Sequence, residues 1–84
     1  MKELSIDPIA LKRHREFGQE MAERHFRLYP TDRYPTDVVV DIMRDTMREP
    51  AADAGIGSRA LEPYARVAAA GFVRAWRRLQ RAAR

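Results

Sequence analysis

Cysteine is absent from the 84 residues, which rules out both a disulfide framework and a thiolate metal site. No stretch approaches the roughly 18 uninterrupted apolar residues of a membrane span. The opening MKELSIDPIALKRH lacks the apolar centre of a secretion signal, so a soluble, cytoplasmic chain is expected. The motifs of catalysis are missing too. There is no His-Glu-x-x-His zinc helix, no nucleophile elbow and no glycine-rich phosphate cradle. Gly55-Ile56-Gly57 is too short for a phosphate-binding loop and lacks its Lys-Ser/Thr ending. A chain of this length builds one modest core rather than the layers in which most enzymes shape a deep pocket. These absences predict a single helical domain over residues 1–84, non-enzymatic, holding neither cofactor nor metal.

Acidic residues are the most unevenly placed. Residues 1 to 62 carry all twelve acids against ten bases, a net −2, while residues 63 to 84 carry six arginines and no acid, a net +6. Fourteen of the sixteen bases are arginine, whose planar guanidinium bonds carboxylate or phosphate in bidentate fashion. GC-rich coding is one explanation for arginine over lysine. It does not account for the acids stopping at Glu62.

Three helices are predicted, at about 8–28, 37–49 and 63–83, making an all-α domain. Asp7-Pro8 supplies an N-cap and a proline at the first helical position. Along the first helix, His14, Phe17, Gly18, Met21, Ala22 and His25 fall in one apolar sector, with Glu20/Arg24 and Glu23/Arg27 opposite as i,i+4 pairs. Gly18 and Ala22 are small enough to admit another helix closely. The sequence then says Tyr-Pro-Thr-Asp twice, at 29–32 and 34–37. The first copy stops a helix and the second, through Thr36 or Asp37 as cap, starts one, so the echo reads as a joint. A recognition loop anchored by Tyr29 and Tyr34 is the alternative.

In the second helix Val38, Val39, Ile42, Met43, Thr46 and Met47 are expected as the inner stripe, and Asp37, Asp41 and Asp45 line a flank at i,i+4. A metal on those aspartates is disfavoured, because a straight helix edge does not converge its oxygens. EPAADAGIGSRALEP, residues 49–63, reads as a loop bounded by prolines. The last helix sorts sharply. Tyr64, Ala65, Ala68, Phe72, Ala75, Trp76 and Leu79 gather on one side, and Arg66, Arg74, Arg77, Arg78, Arg81 and Arg84 on the other.

Those six arginines are the candidate partner-binding residues. A solvated cationic face is the plain reading. Two functional readings compete with it: docking on an acidic patch of a larger protein or protein complex, and sequence-nonspecific binding of nucleic acid through phosphates. A helix-turn-helix does not fit, since the short connection leads into the aspartate-lined helix, which DNA repels. Membrane-surface binding is disfavoured because the alanine-rich apolar side buries little area in lipid. If the second and third helices pack antiparallel, Asp37, Asp41 and Asp45 can reach Arg74, Arg77 or Arg81, but six arginines outnumber three aspartates.

His14, His25, Tyr29, Tyr34 and Trp76 are the candidate interface residues. The two histidines, eleven residues apart, are separated by about 16 Å along a helix and cannot share one metal or proton. Each is expected in helix packing or a subunit interface, with a pH-sensitive interface as the sharper alternative. A homodimer through the small-residue sides of the first and third helices is expected as well. The protein reading is preferred, because acids elsewhere penalise wrapping along a polyanion. In size and composition, and in nothing more specific, the chain resembles the small basic regulators and inhibitors of phages and mobile elements.

Overall fold

The structure, a computed structural model, describes residues 7–83. It holds three helices: α1 (Pro8–Leu28), α2 (Thr36–Asp53) and α3 (Ser58–Ala82), with no strand among the described residues. The all-α reading holds. α1 begins where the sequence placed it, with the Asp7 carboxylate accepting the Ile9 N–H at 3.0 Å. It ends at Tyr29, which leaves the helical region (φ −135°, ψ 61°) just before Pro30.

The other two helices are longer than their proline punctuation suggested. α2 runs through Pro50 to Asp53, and α3 starts five residues before Pro63, so the predicted loop at 49–63 shrinks to Ala54–Gly57. Each proline removes one i→i−4 hydrogen bond and crowds a carbonyl of the preceding turn. Burial on either side outweighs that cost: Ala51 follows Pro50 into the interior, and Leu61 and Ala65 flank Pro63 there. The turn itself closes on hydrogen bonds from Gly55 N–H to the Ala52 carbonyl and from Ile56 N–H to the Ala51 carbonyl, with Gly55 at φ +77°. At the start of α2 neither Thr36 nor Asp37 acts as a cap. The preceding residue is Pro35, no side chain caps the end, and the first bond runs from Val39 N–H to the Pro35 carbonyl.

α3 is the central element. α1 and α2 both pack on it, yet no Cα of α1 comes within 8 Å of a Cα of α2. α1 lies parallel to α3: the His14 ring meets Tyr64, Gly18 meets Ala68, and Phe26 meets Trp76. α2 returns antiparallel, with Arg44 on Glu62 near one end and Thr36 beside Val73, Arg74 and Arg77 near the other. The core joins Ala22 of α1, Val39, Val40 and Met43 of α2, and Ala65, Ala68, Ala69, Phe72, Val73, Ala75 and Trp76 of α3.

The α1–α3 seam is made of small residues. A Cβ at Gly18 would collide with the Ala68 carbonyl, and one at Gly71 with the Arg15 carbonyl, so the two backbones are in contact there. The small-residue sides that the sequence offered for self-association therefore face each other within one chain. No helix among the described residues is long and apolar enough to cross a membrane.

Candidate docking face

Arg74, Arg77, Arg78 and Arg81 are all exposed, along the side of α3 turned away from the core. Their neighbours explain why they stay uncovered. α1 takes the alanine and glycine side of α3, and α2 takes the side bearing Glu62 and Val73, leaving the arginine sector to solvent. The ion pairs of the described residues lie elsewhere: Arg44 with Asp41 (2.7 Å) and Glu62 (2.8 Å), Arg48 with Asp45 (2.9 Å), and Arg66 with Glu62 (3.1 Å). α2 does lie antiparallel to α3, but Asp41 and Asp45 pair with arginines of their own helix rather than with α3. None of Arg74, Arg77, Arg78 and Arg81 has a carboxylate within 4 Å among the described residues.

The six candidate arginines thus divide. Arg66 is half-committed to Glu62, four are open, and Arg84 lies outside the described residues. A fifth open arginine joins them from a place the sequence did not single out. Arg33, in the α1–α2 connection, lines a groove with Tyr34, Trp76, Arg77 and Gln80, and Arg77 also lines the adjoining depression with Thr36, Arg74 and Arg81. The parallel run of α1 along α3, with the Asp32 carbonyl held by Trp76 and Gln80, is what brings residue 33 beside residue 77.

Arg44 and Glu62 form the strongest polar tie of the fold. The guanidinium donates through Nε and Nη2 to the two carboxylate oxygens, both at 2.8 Å, a bidentate fork. Hydrogen bonding from Arg44, assisted by its charge and that of Arg66, holds the Glu62 carboxyl below the usual range, and the Arg44 pKa rises correspondingly.

The candidate interface residues divide as well. Trp76 is only 3% exposed, so it is a core residue rather than an exposed anchor. Its indole N–H donates to the Asp32 carbonyl at 3.0 Å, and Gln80 donates to the same oxygen at 3.1 Å. The Tyr-Pro-Thr-Asp joint is therefore stitched to α3. Tyr34 packs edge-on against Phe72 and Trp76, with ring centroids 5.3 and 4.8 Å away, and its hydroxyl donates to Asp32 at 3.3 Å. Burial, then the Asp32 charge, raises the Tyr34 pKa. His25 sits in this aromatic group, 5.3 Å from Tyr29 and 6.4 Å from Trp76. Tyr29 itself is half-exposed. His14 is far along α1, its Nδ1 donating to the Ala10 carbonyl at 2.6 Å and its ring against Tyr64. The two histidines belong to separate clusters, and no group of three His, Asp or Glu side chains among the described residues is placed to hold a metal ion.

A second concavity escaped the sequence. Between α1 and α2, over the start of α3, lies a cleft of about 690 Å³ walled by Phe17, Met47, Pro50, Ala51, Ile56 and Leu61. Its lining comes from all three helices and the α2–α3 turn, and no single helix pattern reveals it. Compared with known proteins, the chain matches no family model, no curated protein and no solved structure.

Proposed function

We propose that this chain is a small non-enzymatic binding protein that docks through the outer face of α3 on an acidic surface of a larger protein, as an adaptor or inhibitor. The observation that carries this reading is clustering. Arg74, Arg77, Arg78 and Arg81 stand exposed on one side of α3 without a carboxylate of the described residues within 4 Å, in a segment free of acids from residue 63 on, whereas Arg24 and Arg59, also unpaired, have acids within four residues. Unpaired guanidiniums on a rigid helix are pre-organised for carboxylates supplied from outside, with less ordering cost than the same groups on a loop. Arg33 widens the row at its Arg77 end.

A protein surface fits better than a polyanion because the neighbouring helix is acid-bearing. Asp37 and Asp41, on the α2 end that packs beside Arg74 and Arg77, are exposed and would repel a phosphate backbone tracking along the face. A discrete acidic patch can avoid them.

The test is a pulldown from the native host with the intact chain and with the triple variant Arg74→Glu, Arg77→Glu, Arg81→Glu, each with and without nuclease. One protein should co-purify with the intact chain, survive nuclease and disappear with the variant, while helical circular dichroism is unchanged. Retention of that protein by the variant clears the arginine row of the role. Generic DNA or RNA binding at about 50 mM salt that falls steeply as salt rises assigns the row to nucleic acid instead.

A further inference from the structure

We infer that the cleft between α1 and α2 is a binding site for a small amphipathic carboxylate, with the apolar body in the cleft and the carboxylate on Arg13. This does not depend on the reading of the arginine row, since the cleft's floor residue Leu61 lies about 140° around α3 from Arg74.

Three observations converge. The cleft, at about 690 Å³, is within the range of roughly 300–1,000 Å³ usual for small-molecule sites. Its walls are mainly hydrocarbon, from Phe17, Met47, Pro50, Ala51 and Leu61, with Ile56 of the turn. His14, Thr46 and Tyr64 line it too, but the His14 Nδ1 and the Thr46 hydroxyl are spent on the Ala10 and Ile42 carbonyls, so an apolar ligand body is favoured. Arg13 lines the same cleft, is exposed, and takes part in none of the ion pairs found among the described residues. An open guanidinium beside an apolar cleft complements a molecule that is apolar along its length and anionic at its end.

The dimensions suit a short chain. From Ala10 to Phe17 the α1 wall covers about 10 Å, two helical turns. One guanidinium at that wall answers one terminal carboxylate. The cleft also stays open for a physical reason: α1 and α2 diverge from each other on α3 and never come into backbone proximity. Ile56, 42% exposed, is an apolar lining residue that a ligand would cover.

Decanoate and decanol serve as probes in isothermal titration calorimetry on the intact chain. Decanoate should bind saturably at one site per chain, and Arg13→Gln should weaken it about tenfold while changing decanol less than about twofold. Ile56→Glu, at an exposed position where folding is undisturbed, should weaken both, and more strongly decanoate. Amide NMR shifts on titration should cluster at Phe17, Met47, Ala51, Ile56 and Leu61. Three results would sink the inference. One is no saturable decanoate binding up to about 1 mM. Another is binding that ignores Arg13→Gln but is lost with the Arg74, Arg77 and Arg81 variant, which marks plain ion pairing at the row. The third is a dimer in sedimentation that occupies the cleft and is dissociated by Ile56→Glu, which makes a second copy the occupant.

Discussion

Gly18 lies against the carbonyl of Ala68, so close that no other residue fits between α1 and α3 at that level. A hydrogen in place of a side chain is what lets the helices meet backbone to backbone. In a free helix, glycine to alanine is stabilising by about 1 kcal/mol. Here the sign reverses. Gly18→Ala and Gly71→Ala should each destabilise the fold by about 1–3 kcal/mol, because the obstacle is backbone and cannot rotate away. Gly57→Ala, where an added Cβ meets nothing within 4 Å, is the control and should leave stability nearly unchanged. Urea denaturation followed by circular dichroism reads all three.

The Arg44–Glu62 fork makes a pH-dependent contribution whose sign is fixed by the lowered Glu62 pKa. A carboxyl whose folded pKa is depressed stabilises the fold above its unfolded pKa, and that contribution is lost as pH falls through the folded value. Glu62→Gln should therefore lower the melting temperature at pH 7 and make no difference at about pH 2. An equal effect at both pH values would show that the residue acts by packing alone.

Trp76 is the single tryptophan and sits inside the aromatic group that fastens the joint. Its fluorescence should shift to longer wavelength on unfolding, at the same denaturant midpoint as the loss of helix. Trp76→Phe keeps most of the apolar volume but removes the donor to the Asp32 carbonyl, and should cost about 1–3 kcal/mol. Exchange of the amides at residues 31–34 should accelerate in that variant more than exchange in the middle of α1.

Pro63 lies at the sixth residue of α3, where an N–H would otherwise reach the Arg59 carbonyl. Pro63→Ala restores that bond and relieves the crowding, at the cost of a more flexible unfolded chain. A net gain of about 1–2 kcal/mol is expected, seen as a higher melting temperature with unchanged helix content. A lower melting temperature would mean that the helix does not continue through residue 63 in solution.

The sequence made α1 legible from end to end because local chemistry decides both boundaries there: Asp7-Pro8 opens it and Tyr29-Pro30 closes it. The arginine face was legible for a similar reason, since helical periodicity alone separates Arg74, Arg77, Arg78 and Arg81 from Phe72 and Trp76. The extents of α2 and α3 were not, because Pro50 and Pro63 are local signals overruled by the burial of Ala51, Leu61 and Ala65. Nor could the sequence say that the small sides of α1 and α3 meet each other, as the same pattern serves an intramolecular seam and a subunit interface equally well. That Arg44 reaches across to Glu62 is set by the tertiary register, whereas Arg66–Glu62 is an i,i+4 pair within α3, hidden because residues 49–63 read as a loop. The cleft at Arg13 depends on three helices at once and has no one-dimensional signature.

The seat of α3 between two helices that do not approach each other has a consequence for how the chain comes into being. On the ribosome, α1 and α2 emerge first and have no surface of their own to rest on. The glycine seam needs Ala68 and Gly71, and the aromatic group needs Phe72 and Trp76, all of which follow roughly fifty residues after their α1 counterparts. The nascent chain thus stays open until its most basic segment has been made, and the stretch that completes the fold delivers the cationic row in the same step.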